Sequence, residues 1–217
     1  MAYLMSRLSA SRQSLCMMLI MLPMWINFLL RTYAWMSILE NNGLLNQLFQ
    51  QIGLIDLYNQ VAMHFAADPA AYVPIDHFQM IGTQGAVVLG MVYNYLPFMI
   101  LPIYSVLVKL DHSLIEAARD LGASSVQVFC KVILPLSLPG VLSGITMVFV
   151  PSISTFIISR MLGGGSNLLI GDLIEMQFLG NAYNPHLGAG ISLVLMVIIL
   201  LIMTIMNQFN PDDQVLI

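Results

Sequence analysis

Residues 116–135 hold the segment whose side chains differ most from their surroundings: Glu116-Ala117-Ala118-Arg119-Asp120-Leu121-Gly122, a short spacer, then Val132-Ile133-Leu134-Pro135. A polar, small-residue stretch inside a chain otherwise built for lipid must meet something in the water. Its chemistry is contact rather than bond-making. Leu114, Ala117, Ala118 and Leu121 fall at i, i+3, i+4 and i+7, which predicts one apolar stripe on a short helix. Glu116, Arg119 and Asp120 project from the other side. Ser113 with Glu116 fits a capping box at its start, and Gly122 suits a left-handed stop. Ser124 or Ser125 would cap a second short helix. Pro135 and Pro139 fit the first turns of the span that follows. On the residues alone, the segment is either a docking element or an amphipathic linker resting on the membrane surface.

The elements that carry this segment are set by composition. The chain has 217 residues, 59% hydrophobic and 8% charged, with mean hydropathy +0.85. An ordinary soluble domain has roughly 25% charged residues, so the expected class is an all-α polytopic membrane protein. Seven basic residues cannot build a nucleic-acid footprint. Cys16 and Cys130 are isolated and read as apolar fillers, and no spacing suggests a metal site. Four stretches approach or exceed the roughly 20 residues that cross a bilayer core: about 15–39, interrupted by Asn27 and Arg31, then 85–108, 136–158 and 187–206. Arg7, Arg12, Lys109, Arg119 and Lys131 fall on one side of these spans. The positive-inside rule then places both termini and the loop 109–135 in the cytoplasm, with 40–83 and 159–186 outside. In the first external segment, Leu44 to Leu57 has helical spacing, and Asp68-Pro69 argues for a loop.

The pattern E-A-A-x3-G-x9-I-x-L-P resembles the signature cytoplasmic loop of ATP-binding-cassette importer permeases. It is matched at Glu116, Ala117, Ala118, Gly122, Leu134 and Pro135, with Val132 at the isoleucine position. Further blocks are similar to the spermidine/putrescine permease subgroup, of the PotB type. They are Leu22-Pro23-Met24-Trp25, Leu30-Arg31-Thr32-Tyr33-Ala34-Trp35, Asn42-Gly43-Leu44-Leu45-Asn46, Tyr95-Leu96-Pro97-Phe98-Met99, Leu101-Pro102-Ile103-Tyr104 and Leu162-Gly163-Gly164 with Leu168-Leu169-Ile170-Gly171. An apparent insertion lies near 59–80. The resemblance implies a type I permease-like helical bundle, with about four spans here and the family's first two missing upstream of Met1. It implies that Glu116, Ala117, Ala118, Arg119, Asp120, Gly122, Leu134 and Pro135 couple the chain to a separate ATPase. Small Ala117 and Ala118 would allow close approach there, and Glu116 and Arg119 would make charged contacts at the rim. The implied partners are a second permease subunit, two ATP-binding subunits and an external solute-binding protein, in a bacterial inner membrane. ATP and magnesium would be used by the partner ATPase, with no cofactor on this chain, which lacks a G-x-x-x-x-G-K-[ST] phosphate loop. The chain itself would not be an enzyme.

A polyamine needs acceptors and aromatic faces along its path. Trp35, Tyr93, Asn94, Tyr95, Ser152 and Thr155 are the candidates. Pro97, Pro102 and Pro151 each remove a helical donor and would break the backbone near them; a packing kink is the alternative reading. Glu40, Asp172 and Glu175 could steer cations or sit solvated. Arg31 is expected to snorkel or to pair with an acid such as Glu40. Gly140-x-x-x-Gly144 suits close helix approach. Three other functions compete with polyamine import: the same architecture for sulfate, ferric ion or another organic cation, an ion-gradient carrier, and a non-transporting membrane scaffold.

Overall fold

The computed structural model describes residues 1–65, 72–165, 168–180 and 183–208. Every regular element among them is helical: α1 (Ala2–Ser6), α2 (Ala10–Trp25), α3 (Phe28–Leu39), α4 (Leu44–Gln51), α5 (Leu54–Phe65), α6 (Gln84–Val108), α7 (His112–Asp120), α8 (Ser125–Val128), a π-helical turn (Phe129–Ile133), α9 (Leu134–Ser154), α10 (Ile157–Leu162), α11 (Ile170–Leu179) and α12 (Pro185–Gln208). Three stretches, Gln84–Val108, Ser125–Ser154 and Pro185–Met206, are long and apolar enough to cross a membrane. A fourth crossing arises if the bent pair formed by α2 with α3 and α4 counts as one span.

Four expectations change. The stretch 15–39 is not one helix. It breaks at Ile26-Asn27, because the Asn27 side chain accepts a 2.9 Å hydrogen bond from the Leu29 N–H and so starts α3 afresh. The third long helix starts at Ser125 and ends at Ser154, so the expected second short helix runs straight into the helix of the expected span 136–158, which stops four residues early. Thr155 and Phe156 separate it from α10. The backbone does not break at Pro97 or Pro102, since α6 runs through both. Finally, Leu44 to Leu57 is two helices, separated at Ile52-Gly53, where Gly53 has φ +72°. The Asp68-Pro69 turn lies outside the described residues.

The chain divides into two compact units. The first comprises Met1–Trp25, Asn94–Ser154 and Ile174–Ile217. Its core joins Ala2 and Met5 of α1, Ile100 and Leu107 of α6, Ile115 of α7, Val128 of α8 and Ile133 of the π turn. Gln13 holds the α1–α2 corner: its amide donates to the Ser6 and Leu8 carbonyls, and its oxygen accepts from the Tyr104 hydroxyl. Gly140 and Gly144 are both buried. A Cβ at Gly140 would lie 2.8 Å from the Pro102 carbonyl oxygen and 2.9 Å from the Ile103 Cα. The glycine pair thus lets α9 lie directly on the α6 backbone.

The second unit comprises Ile26–Tyr93 and Thr155–Leu173. Leu39, Ala86, Val87, Ile158 and Leu162 form its core. Two asparagines fasten the extended segment that returns after α5. Asn46 donates to the Phe78 carbonyl at 3.0 Å and accepts from the Phe78 N–H at 2.9 Å. Asn59 does the same to Ile75, at 2.8 and 2.9 Å. Each side-chain amide imitates a neighbouring strand and satisfies both backbone groups of one residue.

Candidate functional site

The segment 111–135 forms a helical hairpin in the first unit. Asp111, not Ser113, caps α7: its carboxylate accepts from the Ser113 N–H at 3.0 Å. Ser113 therefore lies inside the helix, and the Ser113–Glu116 capping box is replaced by an earlier start. At the other end, the Gly122 N–H donates to the Arg119 carbonyl and the Ala123 N–H to the Ala118 carbonyl. With Gly122 at φ +81°, this is a Schellman stop. Ser124 then caps α8 in a complete capping box with Gln127.

The hairpin has a packed face and a bare face. Ile115, Val128 and Ile133 enter the core with Leu107 and Ile100. Sequence periodicity pointed instead to Leu114, Ala117, Ala118 and Leu121. Of these only Ala118 is half-buried, while Leu121 is 89% exposed, and Val126 beside it is 72% exposed. Glu116, Arg119 and Asp120 are exposed as well. Leu114, Ala117 and Leu121 of the stripe are exposed, and only Ala118 packs against the core. The inner anchors were missed because Val128 and Ile133 are five apart, a spacing that faces one way only when a π turn intervenes. The Leu134 N–H donates to Phe129, five residues back. Pro135 follows directly, where its missing N–H could not have bonded Lys131. Leu134 and Pro135 are therefore both exposed residues within one continuous helix from Ser125 to Ser154.

Of the six proposed path residues, Trp35, Tyr93 and Thr155 belong to the second unit and Asn94, Tyr95 and Ser152 to the first. Trp35 and Tyr93 meet in the second unit, edge to face, with ring centroids 5.1 Å apart. Arg31 places its guanidinium 5.8 Å from the Tyr93 ring and 6.0 Å from Phe28. Its guanidinium thus meets two rings, and Glu40 is exposed. Asn94 and Tyr95 belong to the first unit. Asn94 is buried, and the Tyr95 hydroxyl donates to the Pro151 carbonyl at 3.0 Å. Ser152 donates to the Phe149 carbonyl within α9. Thr155 is buried in the second unit. Asp172 is neither solvated nor steering: it is buried, and its carboxylate accepts from the Leu169 N–H at 2.7 Å, capping α11 from its third position. Among the described residues, no group of three His, Cys, Asp or Glu side chains could hold a metal ion.

Residues 1–212 match the family described as binding-protein-dependent transport system inner membrane component. The chain belongs to this family. Its helical elements and its long apolar helices agree with an inner-membrane component. Among its relatives, the spermidine/putrescine transport system permease protein PotB of Salmonella typhimurium is 37% identical over 204 residues, covering 94% of this chain and 64% of the relative. The inner membrane ABC transporter permease protein YdcU of Escherichia coli is 30% identical over 215 residues, covering 98% and 65%. A probable sulfate transport system permease protein of Prototheca wickerhamii is 34% identical over 139 residues, covering 64% and 54%. The chain thus spans 64% and 65% of the length of the first two of these permeases.

Proposed function

We propose that this chain is a permease subunit of an ATP-driven importer of polyamines such as spermidine and putrescine. It would work with a second permease subunit, two ATP-binding subunits and an external solute-binding protein. Both termini and the 111–135 hairpin would face the cytoplasm. The chain carries out no bond chemistry itself. ATP and magnesium would be bound and used by the partner ATPase. Similarity to PotB-type permeases over 94% of the chain supports the solute.

The observation that carries the mechanical part is the exposure of Leu121 and Val126 at the tip of a rigidly anchored hairpin. Exposed Leu121, Val126 and Ala117 share the hairpin with exposed Glu116, Arg119 and Asp120, a composition that suits a desolvated centre with a charged rim. Behind the tip, Ile115, Val128 and Ile133 join the hairpin to α6 and to the helix that continues as α9. A push on the tip is therefore delivered to two long apolar helices at once, as rigid-body alternation between two states requires.

The test is uptake of radiolabelled spermidine by the complete complex in proteoliposomes, with and without ATP. ATP-dependent accumulation is expected, and sulfate should not compete. Sulfate uptake in place of spermidine would move the chain to the sulfate branch. Gradient-driven uptake without ATP would make it a carrier. Replacing Leu121 and Val126 by serine should leave the permease in the membrane but reduce co-purification of the ATP-binding subunit. Unimpaired co-purification would remove the hairpin from the docking role.

A further inference from the structure

Arg31 is the feature that the proposed path leaves unexplained. A fixed cation beside a route for cations should hinder them. Yet its guanidinium does not point away from the aromatic residues. It lies within reach of two rings, 5.8 Å from Tyr93 and 6.0 Å from Phe28. Trp35 holds Tyr93 from another side, edge to face at 5.1 Å. Phe28, Arg31 and Trp35 recur at i, i+3 and i+7 on one face of α3, from which Arg31 and Trp35 meet Tyr93 on α6 and Phe28 meets Arg31. The same face of α3 is anchored by Thr32 and Leu39, both buried. A ring face attracts a guanidinium and an alkylammonium by the same quadrupole. The Tyr93 face is therefore a cation site that already contains a cation.

We infer that Arg31 is a resident cation that sets the charge selectivity of the polyamine path, occupying the Tyr93 site until a substrate ammonium takes its place. This deepens the import reading above and rests on it. An incoming monovalent cation exchanges one ring contact for another and meets a displaced guanidinium of like charge, so it gains nothing. A polyamine arrives with further ammonium groups that bind elsewhere along the route. Those contacts offset the exchange. Arg31 thus favours amines with more charges over those with fewer, and its side chain stays tethered to refill the site afterwards.

The experiment uses the complete complex. Spermidine and putrescine uptake are compared in wild type, Arg31→Gln and Arg31→Lys. Removing the resident charge in Arg31→Gln should lower the ratio of kcat/KM for spermidine over putrescine by about tenfold, mostly through a lower KM for putrescine. Arg31→Lys keeps a tethered cation and should keep most of the ratio. A purely structural arginine would lower transport of both amines alike and leave the ratio unchanged. That result would overturn the inference. A second measurement needs no change at Arg31. Trp25 is 87% exposed, so Trp25→Phe costs little packing and leaves Trp35 as the sole tryptophan of the two in this chain. In reconstituted permease subunits, spermidine should shift Trp35 emission while butylamine at equal ammonium concentration should not. Equal responses would also overturn it. Failure of the unmodified complex to take up spermidine would instead sink the import reading, and the inference with it.

Discussion

The Tyr95 hydroxyl donates a 3.0 Å hydrogen bond to the carbonyl of Pro151. Pro151 lies in the last turn of α9, which ends at Ser154. The final four carbonyls of a helix have no partner within it. Tyr95, reaching from α6, supplies one. A tyrosine proposed from its sequence neighbours as a path residue thus has a structural duty at the end of a long apolar helix, where no water replaces a lost bond.

Tyr95→Phe keeps the ring and removes only this bond. It should cost about 0.5–1.5 kcal/mol, seen as a fall of a few degrees in the Tm of the purified complex. The KM for spermidine should not move. An altered KM at unchanged Tm would put the hydroxyl on the solute instead.

Gly122 stands at φ +81° with open space where a Cβ would go. Its requirement is therefore backbone conformation alone. Gly122→Ala should destabilise the turn by about 1–2 kcal/mol, enough to loosen the tip between α7 and α8. Uptake per ATP hydrolysed should fall while hydrolysis continues. Asparagine tolerates the left-handed region better than alanine, so Gly122→Asn should recover part of the coupling ratio. Equal ratios in all three proteins would dissociate the turn from coupling.

Much of this hairpin could be read in the sequence because its signals are local. A glycine stop, a serine cap and an i, i+3, i+4 stripe each depend on neighbours within one turn or two. The resemblance carried by Glu116 to Pro135 then placed the chain in its family. What stayed hidden depends on distant partners or backbone register. Asn27 reads as a polar interruption of a span until its side chain is seen capping α3. Asp172 reads as an outer acid until its carboxylate is seen on the Leu169 N–H. The π turn shifts register by one residue, so Val128 and Ile133 share a core that a 3.6-residue period does not reveal. The ring and guanidinium around Tyr93 could not be read from its neighbours in sequence, because Trp35 and Arg31 come from α3, far away along the chain.

Two glycines in long helices should respond in opposite ways to the same change. At Gly140 an alanine Cβ would press on backbone atoms of Pro102 and Ile103, which cannot swing aside. At Gly190, on α12, it would meet nothing within 4 Å. Gly140→Ala should lower Tm and reduce the yield of folded complex, with Gly140→Val more severe. Gly190→Ala should be neutral, or stabilising by about 0.5–1 kcal/mol through reduced chain entropy. The comparison is made by thermal unfolding in detergent. A matching loss at both positions would mean that helix approach is not what Gly140 provides.

Asn46 is buried and uses both ends of its amide on one residue, Phe78, while also donating to the Glu40 carbonyl at 3.2 Å. Asn46→Ala leaves the Phe78 N–H and carbonyl without these bonds. Each buried orphan costs about 1–3 kcal/mol, more than the local cluster of Phe49, Tyr58 and Phe78 rings can offset. The extended segment should come away from α4 near Phe78, yet stay held at Ile75 by Asn59. Limited proteolysis should then cut between 76 and 80 in Asn46→Ala, nearer to 72–75 in Asn59→Ala, and in neither place in wild type. Amide exchange at Phe78 should rise at least tenfold in Asn46→Ala, the factor for about 1.4 kcal/mol of lost protection. Were the same cleavage pattern to appear in both variants, the two asparagines would act as one clasp rather than as separate ones.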